Sequence, residues 1–189
     1  MLFRSFRFLL KAHAALTTPR SVSRPAFLEG LPDLFLDVAH ARDAVVEPAR
    51  RTLGEKLGVL LFQFPPLPQS VWRRRAELLA RVHAFLHALP ADVPYALEWR
   101  NPEILGTDYH AMLAAAGAAH APCAHPRMPP VDEQGVDAAA APLLAIRWLL
   151  GRGRGYEEAR AAYAPFNRIV EPDEPVRERI ATQIGRAHV

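Results

Sequence analysis

Cysteine is almost missing from this chain: among 189 residues, Cys123 is the only one. A lone thiol cannot close an internal disulfide, which excludes a stapled secreted scaffold. No apolar run approaches the roughly 18 residues that a bilayer-spanning helix requires, so no membrane partner is expected. Lysine occurs only at Lys11 and Lys56, and the remaining basic charge is arginine. With 18 prolines and abundant alanine, that skew reads as codon-composition bias as much as a functional signal. No excess of one charge selects a partner either: 23 basic side chains face 20 acidic ones, for a net charge of +3. What is present is half hydrophobic, which excludes wholesale disorder, and the length suits one domain.

The first twenty residues lack Asp and Glu and carry Arg4, Arg7, Lys11 and Arg20. Two readings fit: an organellar transit peptide, or a buried strand over 6–11, the simpler one. Further on, short apolar runs alternate with longer amphipathic stretches. Residues 57–64 (LGVLLFQF) form the kind of run that suits a parallel strand covered on both faces. After Pro65-Pro66, Ser70 is the expected N-cap of a helix reaching Pro90, with Leu78, Leu79, Val82, Phe85 and Leu86 at helical spacing. Residues 95–100 (YALEWR) predict the next strand, and Thr107 a helix cap with Gly117 at the far end. Weaker strands are expected over 118–121 and 143–150, and a helix from Tyr156. Residues 32–54 read as helix broken at Pro48, which suits the start of a second segment.

Strand alternating with helix is the pattern of an α/β fold with a parallel sheet. Barrel or open sheet is then the question, and the strand ends bear on it. Glu98 and Arg100 share one face of their strand, and the other strands end on Lys11, Gln63 and Arg147. Unpaired burial of such groups costs several kcal/mol, so they must meet partners or solvent together. Barrel enzymes gather polar groups at the carboxyl ends of their strands, and open sheets bind ligands there too.

These strand ends are where the chain becomes familiar. FRFLLKA, KLGVLLFQFPP, YALEWRNPE, AIRWLLGRGRGYEEA and PFNRIVEPD, in that order, resemble the YecE-like family of domains of unknown function. HAPCAHPRMPPVDEQ resembles one of its subgroups. The resemblance implies a TIM (β/α)8 barrel, expected here as an incomplete one: roughly five parallel strands with intervening helices, where a full barrel has eight in about 250 residues. It implies that the family's strand-end residues fall on Lys11, Gln63, Glu98, Arg100 and Arg147. Asn101 stands where many members carry histidine, as in the subgroup, and joins the substrate-binding set. On this comparison the chain is expected to be a partial barrel over 1–183, cut at both ends. Residues 184–189 (IGRAHV) match a translated sequencing adapter and are expected to be a non-native tail. The expected location is the cytoplasm.

The constellations admit competing readings. Glu98 beside Arg100, near Lys11 and Gln63, suits a catalytic general acid/base with electrostatic support, or an ion-pair network inside the fold. Gly151, Arg152, Gly153 and Arg154 lead into a helix and suit a phosphate loop or a flexible exposed one; the spacing breaks the dinucleotide fingerprint. His120, Cys123 and His125 are metal-capable types with no zinc spacing, so no metal is expected. His83 and His87, and Arg73-Arg74-Arg75, read as solvated helix surface. The expectation is an uncharacterised protein, with an enzyme acting on a small polar or phosphorylated substrate as the leading reading. Glu98 would be catalytic, with Arg100, Arg147, Lys11, Gln63 and Asn101 binding substrate. The alternative is a non-catalytic binding protein for an anionic ligand or nucleic acid.

Overall fold

Apolar side chains crowd the segment that follows Gly54, and in the computed structural model they form a central strand. The structure describes residues 6–20, 28–135, 143–149 and 155–186. Strand β1 (Phe8–Lys11) pairs with β2 (Leu57–Gln63), β2 with β3 (Tyr95–Glu98), and β3 with β4 (Ala119–His120), all in parallel. Spatial order therefore equals chain order, with no reversal. Strands β5 (Cys123–Ala124) and β6 (Arg147–Trp148) form a second parallel pair. Among the described residues these two sheets do not close into a barrel.

The strand expected over 118–121 forms as β4, and past Pro122 the chain continues as β5, which pairs elsewhere. The N–H of Ala121 donates to Leu97 O at 2.8 Å on one side, and Pro122 O accepts from Arg147 N at 2.9 Å on the other. One continuous stretch thus leaves β3 and joins β6. Pro122 has no N–H to give the second ladder, so a rung is lost where the strand changes neighbour. The strand expected over 143–150 shortens to Arg147–Trp148 within its described part.

Helices cover one face of the sheet. Helices α1 (Val38–Ala41) and α2 (Glu47–Leu53) are joined by a π-helical stretch, Arg42–Val46, and Pro48 sits in the first turn of α2, as its fixed φ favours. The helix expected from Ser70 is broken: α3 (Gln69–Trp72) is capped by Pro68, not Ser70, and α4 (Arg75–His87) restarts after Arg74, whose ψ of 39° is not helical. Arg75 is no bare surface charge; it binds both the Asp108 carboxylate and Ile104 O, tying α4 to the start of α5 (Thr107–Ala115). Gly106 precedes α5, so Thr107 is its first residue and not its cap. Gly117, with φ 63°, ends that turn as the sequence predicts. Helices α6 (Tyr156–Tyr163) and α7 (Glu174–Arg186) follow β6.

Alternation along the strands divides the sheet cleanly. Leu60, Phe62, Phe64, Tyr95, Leu97 and Trp99 join the α4 and α5 side chains in the main core. There Phe62 meets Phe85 edge-on at 5.1 Å, and Phe64 stacks on Trp99 at 3.9 Å. The opposite face is a separate cluster of Val59, Leu61, Ala96, Ala119, Ala121 and Ala145, joined by Leu143. Its side chains are mostly methyl groups, and they form a floor beneath the polar residues at the strand ends.

Candidate functional site

Two residues beyond Ala96 on the same strand face stands Glu98, and one pleat further Arg100. Two residues beyond Ala145 stands Arg147. All three point to the alanine-lined side, and the parallel register brings them to the same, carboxyl end. Arg100 Nη2 lies 2.5 Å from Glu98 Oε1, and Arg147 Nη1 donates to Glu98 Oε2 at 2.7 Å. Side-chain exposure is 0% for Glu98, 10% for Arg100 and 24% for Arg147. One buried carboxylate is therefore gripped by two guanidiniums, and the group carries one net positive charge.

The pairing leaves hydrogen-bonding capacity over. Arg100 approaches Glu98 Oε1 off the hydrogen-bond direction, so Oε1 has no hydrogen-bond partner among the described residues. Arg100 Nη1 has none either. A buried donor left open beside a buried ion pair is unusual, because it costs about 1–3 kcal/mol.

The remaining expected residues divide. Gln63 is the register partner of Glu98 on β2 and sits half-buried beside it. Lys11 lies opposite Leu61 on the edge strand, on the same face but exposed, and it makes no ion pair among the described residues. Asn101 is drawn away. Its Oδ1 accepts from Leu67 N at 2.6 Å and its Nδ2 donates to Leu67 O at 3.1 Å, so the amide holds the loop after β2. Gly151, Arg152, Gly153 and Arg154 lie outside the described residues.

Three further residues belong to this neighbourhood. Cys123, the register partner of Arg147, is fully buried with Sγ 3.6 Å from Trp99 O. Burial, and then the negative charge of Glu98, push its thiol up to about 12, which removes it as a thiolate nucleophile at neutral pH. His125 is two residues further along the same face, one pleat beyond Cys123. Its Nδ1 accepts from Arg127 N at 3.2 Å, which leaves Nε2 to carry the proton. Partial burial and the nearby cations Arg100 and Arg127 bring its pKa down to about 4, so the ring is neutral. Gln134 braces the strand from outside the sheet's pairing: its amide accepts from Cys123 N and donates to Cys123 O and Pro129 O. Its Oε1 also lies 3.4 Å from Nε2 of buried His120, whose Nδ1 is 3.0 Å from the Tyr109 hydroxyl. Among the described residues, no cluster of His, Cys, Asp and Glu is arranged to hold a metal ion. His120, Cys123 and His125 thus divide between the two sides of their strand.

Next to His125 opens a cleft of about 980 Å³ between the strand ends and the segment leading into α7. Ala124, Met128, Pro129, Trp148, Leu149 and Ile169 supply much of its apolar wall.

Fold and site together define a class: an α/β protein whose sequentially ordered parallel strands gather buried charge at their carboxyl ends. The chain belongs to the family described as Protein of unknown function DUF72, whose model matches residues 3–182. This agrees with the YecE-like resemblance of its motifs. Neither a curated protein nor a solved structure matches the chain. Among the described residues, no helix is long and apolar enough to cross a membrane.

Proposed function

We propose that the strand-end face binds a small polar, anionic or phosphorylated substrate, and that the protein is an enzyme acting on it with Glu98 as acid/base or orienting carboxylate. One observation carries this reading: a fully buried carboxylate held by two guanidiniums, with an Arg100 donor left open beside it. A network built only for stability would satisfy every group it buries. The net positive charge selects an anion, and Arg100 and Arg147 are its binders. Gln63 supplies an amide at the side, and exposed Lys11 attracts the substrate from solution. The Oε1 lone pair of Glu98 not used in a hydrogen bond is the one available to a substrate proton.

The finer fold reading, a TIM barrel, is supported by chain-ordered parallel strands with polar groups at one end. A second reading has an observation of its own. Both Glu98 oxygens already face a guanidinium, which suits a non-catalytic binder of anions better than a proton-transfer group.

The test uses the full chain and a panel of inorganic phosphate, sugar phosphates and small carboxylates. Melts should shift upward with some of these ligands in the wild type and not in Arg147→Gln. Turnover of a stabilising ligand that disappears in Glu98→Gln supports the enzyme. Stabilisation without turnover of any panel member supports the binder, and no Arg147-dependent shift removes the site.

A further inference from the structure

The cleft and the charged cluster touch at one residue, His125. Its position two residues beyond Cys123 puts it on the alanine-lined side, near enough to Arg100 to feel its charge, and it also lines the 980 Å³ cleft. At the far rim of that cleft the charged side chains are already occupied. Arg179 pairs with Asp132, Arg177 with Glu174, the Tyr163 hydroxyl donates to Glu171, and Asp173 accepts from Val176 N. Among the described residues, a buried donor without a partner stands at the near end, on Arg100, with Arg147 and the Nε2–H of His125 beside it. Between the two ends the wall is apolar: Met128, Pro129, Trp148, Leu149 and Ile169. Trp148 and Ile169 stand 46% and 82% exposed, which is costly for side chains of that size unless something covers them.

We propose that the substrate is a small amphipathic acid, an alkyl or aryl carboxylate or phosphate monoester. Its anionic head lies against Arg100, Arg147 and His125, and its apolar body fills the adjoining cleft. This rests on the strand-end binding site proposed above and adds what lies beyond the head group. Charge complementarity sets the orientation: the near end is the one with a net cation, and the far rim has none to spare. His125 serves as a neutral donor to the head, because Arg127 N already occupies its Nδ1. A neutral donor suits this place, since a third full positive charge beside two guanidiniums would be costly.

Isothermal titration of the full chain with acetate, hexanoate, inorganic phosphate and phenyl phosphate separates the two levels. Each methylene taken out of water is worth roughly a factor of four in affinity, so partial burial of the hexanoate tail should give at least about tenfold over acetate. Phenyl phosphate should exceed inorganic phosphate by a similar factor. Leu149→Asn should erase that preference and leave the inorganic phosphate affinity in place, whereas Arg147→Gln should weaken all four ligands. Arg147-dependent binding of phosphate and acetate with no gain from the apolar body overturns the amphipathic substrate and leaves the strand-end site standing. Failure of all four ligands to bind overturns both.

Discussion

Asn101 grips the main chain of Leu67 from both sides, accepting from its N–H at 2.6 Å and donating to its carbonyl at 3.1 Å. One side chain thereby carries the pairing of β2 and β3 past their ends, into the loops that follow them. Both atoms it serves are buried, so Asn101→Ala leaves a main-chain donor and acceptor orphaned. Stability should fall by about 1–3 kcal/mol, read from urea unfolding. A loss below a few tenths would mean that water replaces the amide without cost.

Glu98→Gln strips the charge that balances two guanidiniums. Removing one partner of a buried ion pair typically costs about 3–5 kcal/mol, and the melting temperature should drop accordingly. The two arginines are then free for an external anion. Phosphate should raise the melting temperature of Glu98→Gln by more than it raises that of the wild type. Equal shifts in the two proteins would show that the arginines do not meet phosphate.

Acid should destabilise the fold through His120. Burial, and then the neighbouring His110, hold its pKa at about 4, against 6.5 for a free imidazole. Below pH 6.5 the unfolded chain takes up a proton that the folded chain refuses. Stability is therefore full above 6.5 and declines as pH falls toward 4, by roughly 3 kcal/mol in all. Unfolding free energies between pH 7.5 and 4.5 should trace this decline, and His120→Gln should make it shallower, leaving the share that His110 and His125 contribute in the same direction.

Gly135 closes the segment that Gln134 pins to Cys123, with φ at 75°. A β-carbon there would sit 2.6 Å from His110 Nε2. Gly135→Ala therefore combines left-handed backbone strain, about 1–2 kcal/mol, with a forced move of the His110 ring. Thermal melts should show the loss, and His110→Ala in the same chain should recover part of it.

Strand positions and the site's central trio were legible in the sequence for one physical reason. Period-two alternation places Glu98 and Arg100 together whatever surrounds them, and parallel strands ending on charge must bring those charges to one end. Arg147 follows from the same rule, and the structure puts it on Glu98. The breaks were less legible, because they come from hydrogen bonds the pattern does not show. Nothing in the alternation marks Pro122 as the point where one strand changes partner. Ser70 has the chemistry of a cap, yet the chain turns into the helix two residues earlier, at Pro68. Asn101 was assigned by resemblance to the ligand, and only the path of the loop at Leu67 shows what its amide holds. His125 was weighed as a metal ligand; its neighbours Arg100 and Arg127, from different parts of the chain, make it a neutral donor instead.

The methyl floor of Ala96, Ala119, Ala121 and Ala145 sets the electrical surroundings of the trio above it. Alanine offers no dipole that can swing to answer a charge. Fields from Arg100 and Arg147 therefore fade slowly with distance on that side, as they would in a medium of low permittivity. Mobile ions cannot enter the sheet, so dissolved salt weakens an anion's attraction there much less than at the arginines of the outer helices, where the Debye length is near 8 Å at physiological ionic strength. Ionic strength thus becomes a way of sorting partners: a ligand seated over the alanines stays bound as salt rises, and a polyanion on the outer surface is released.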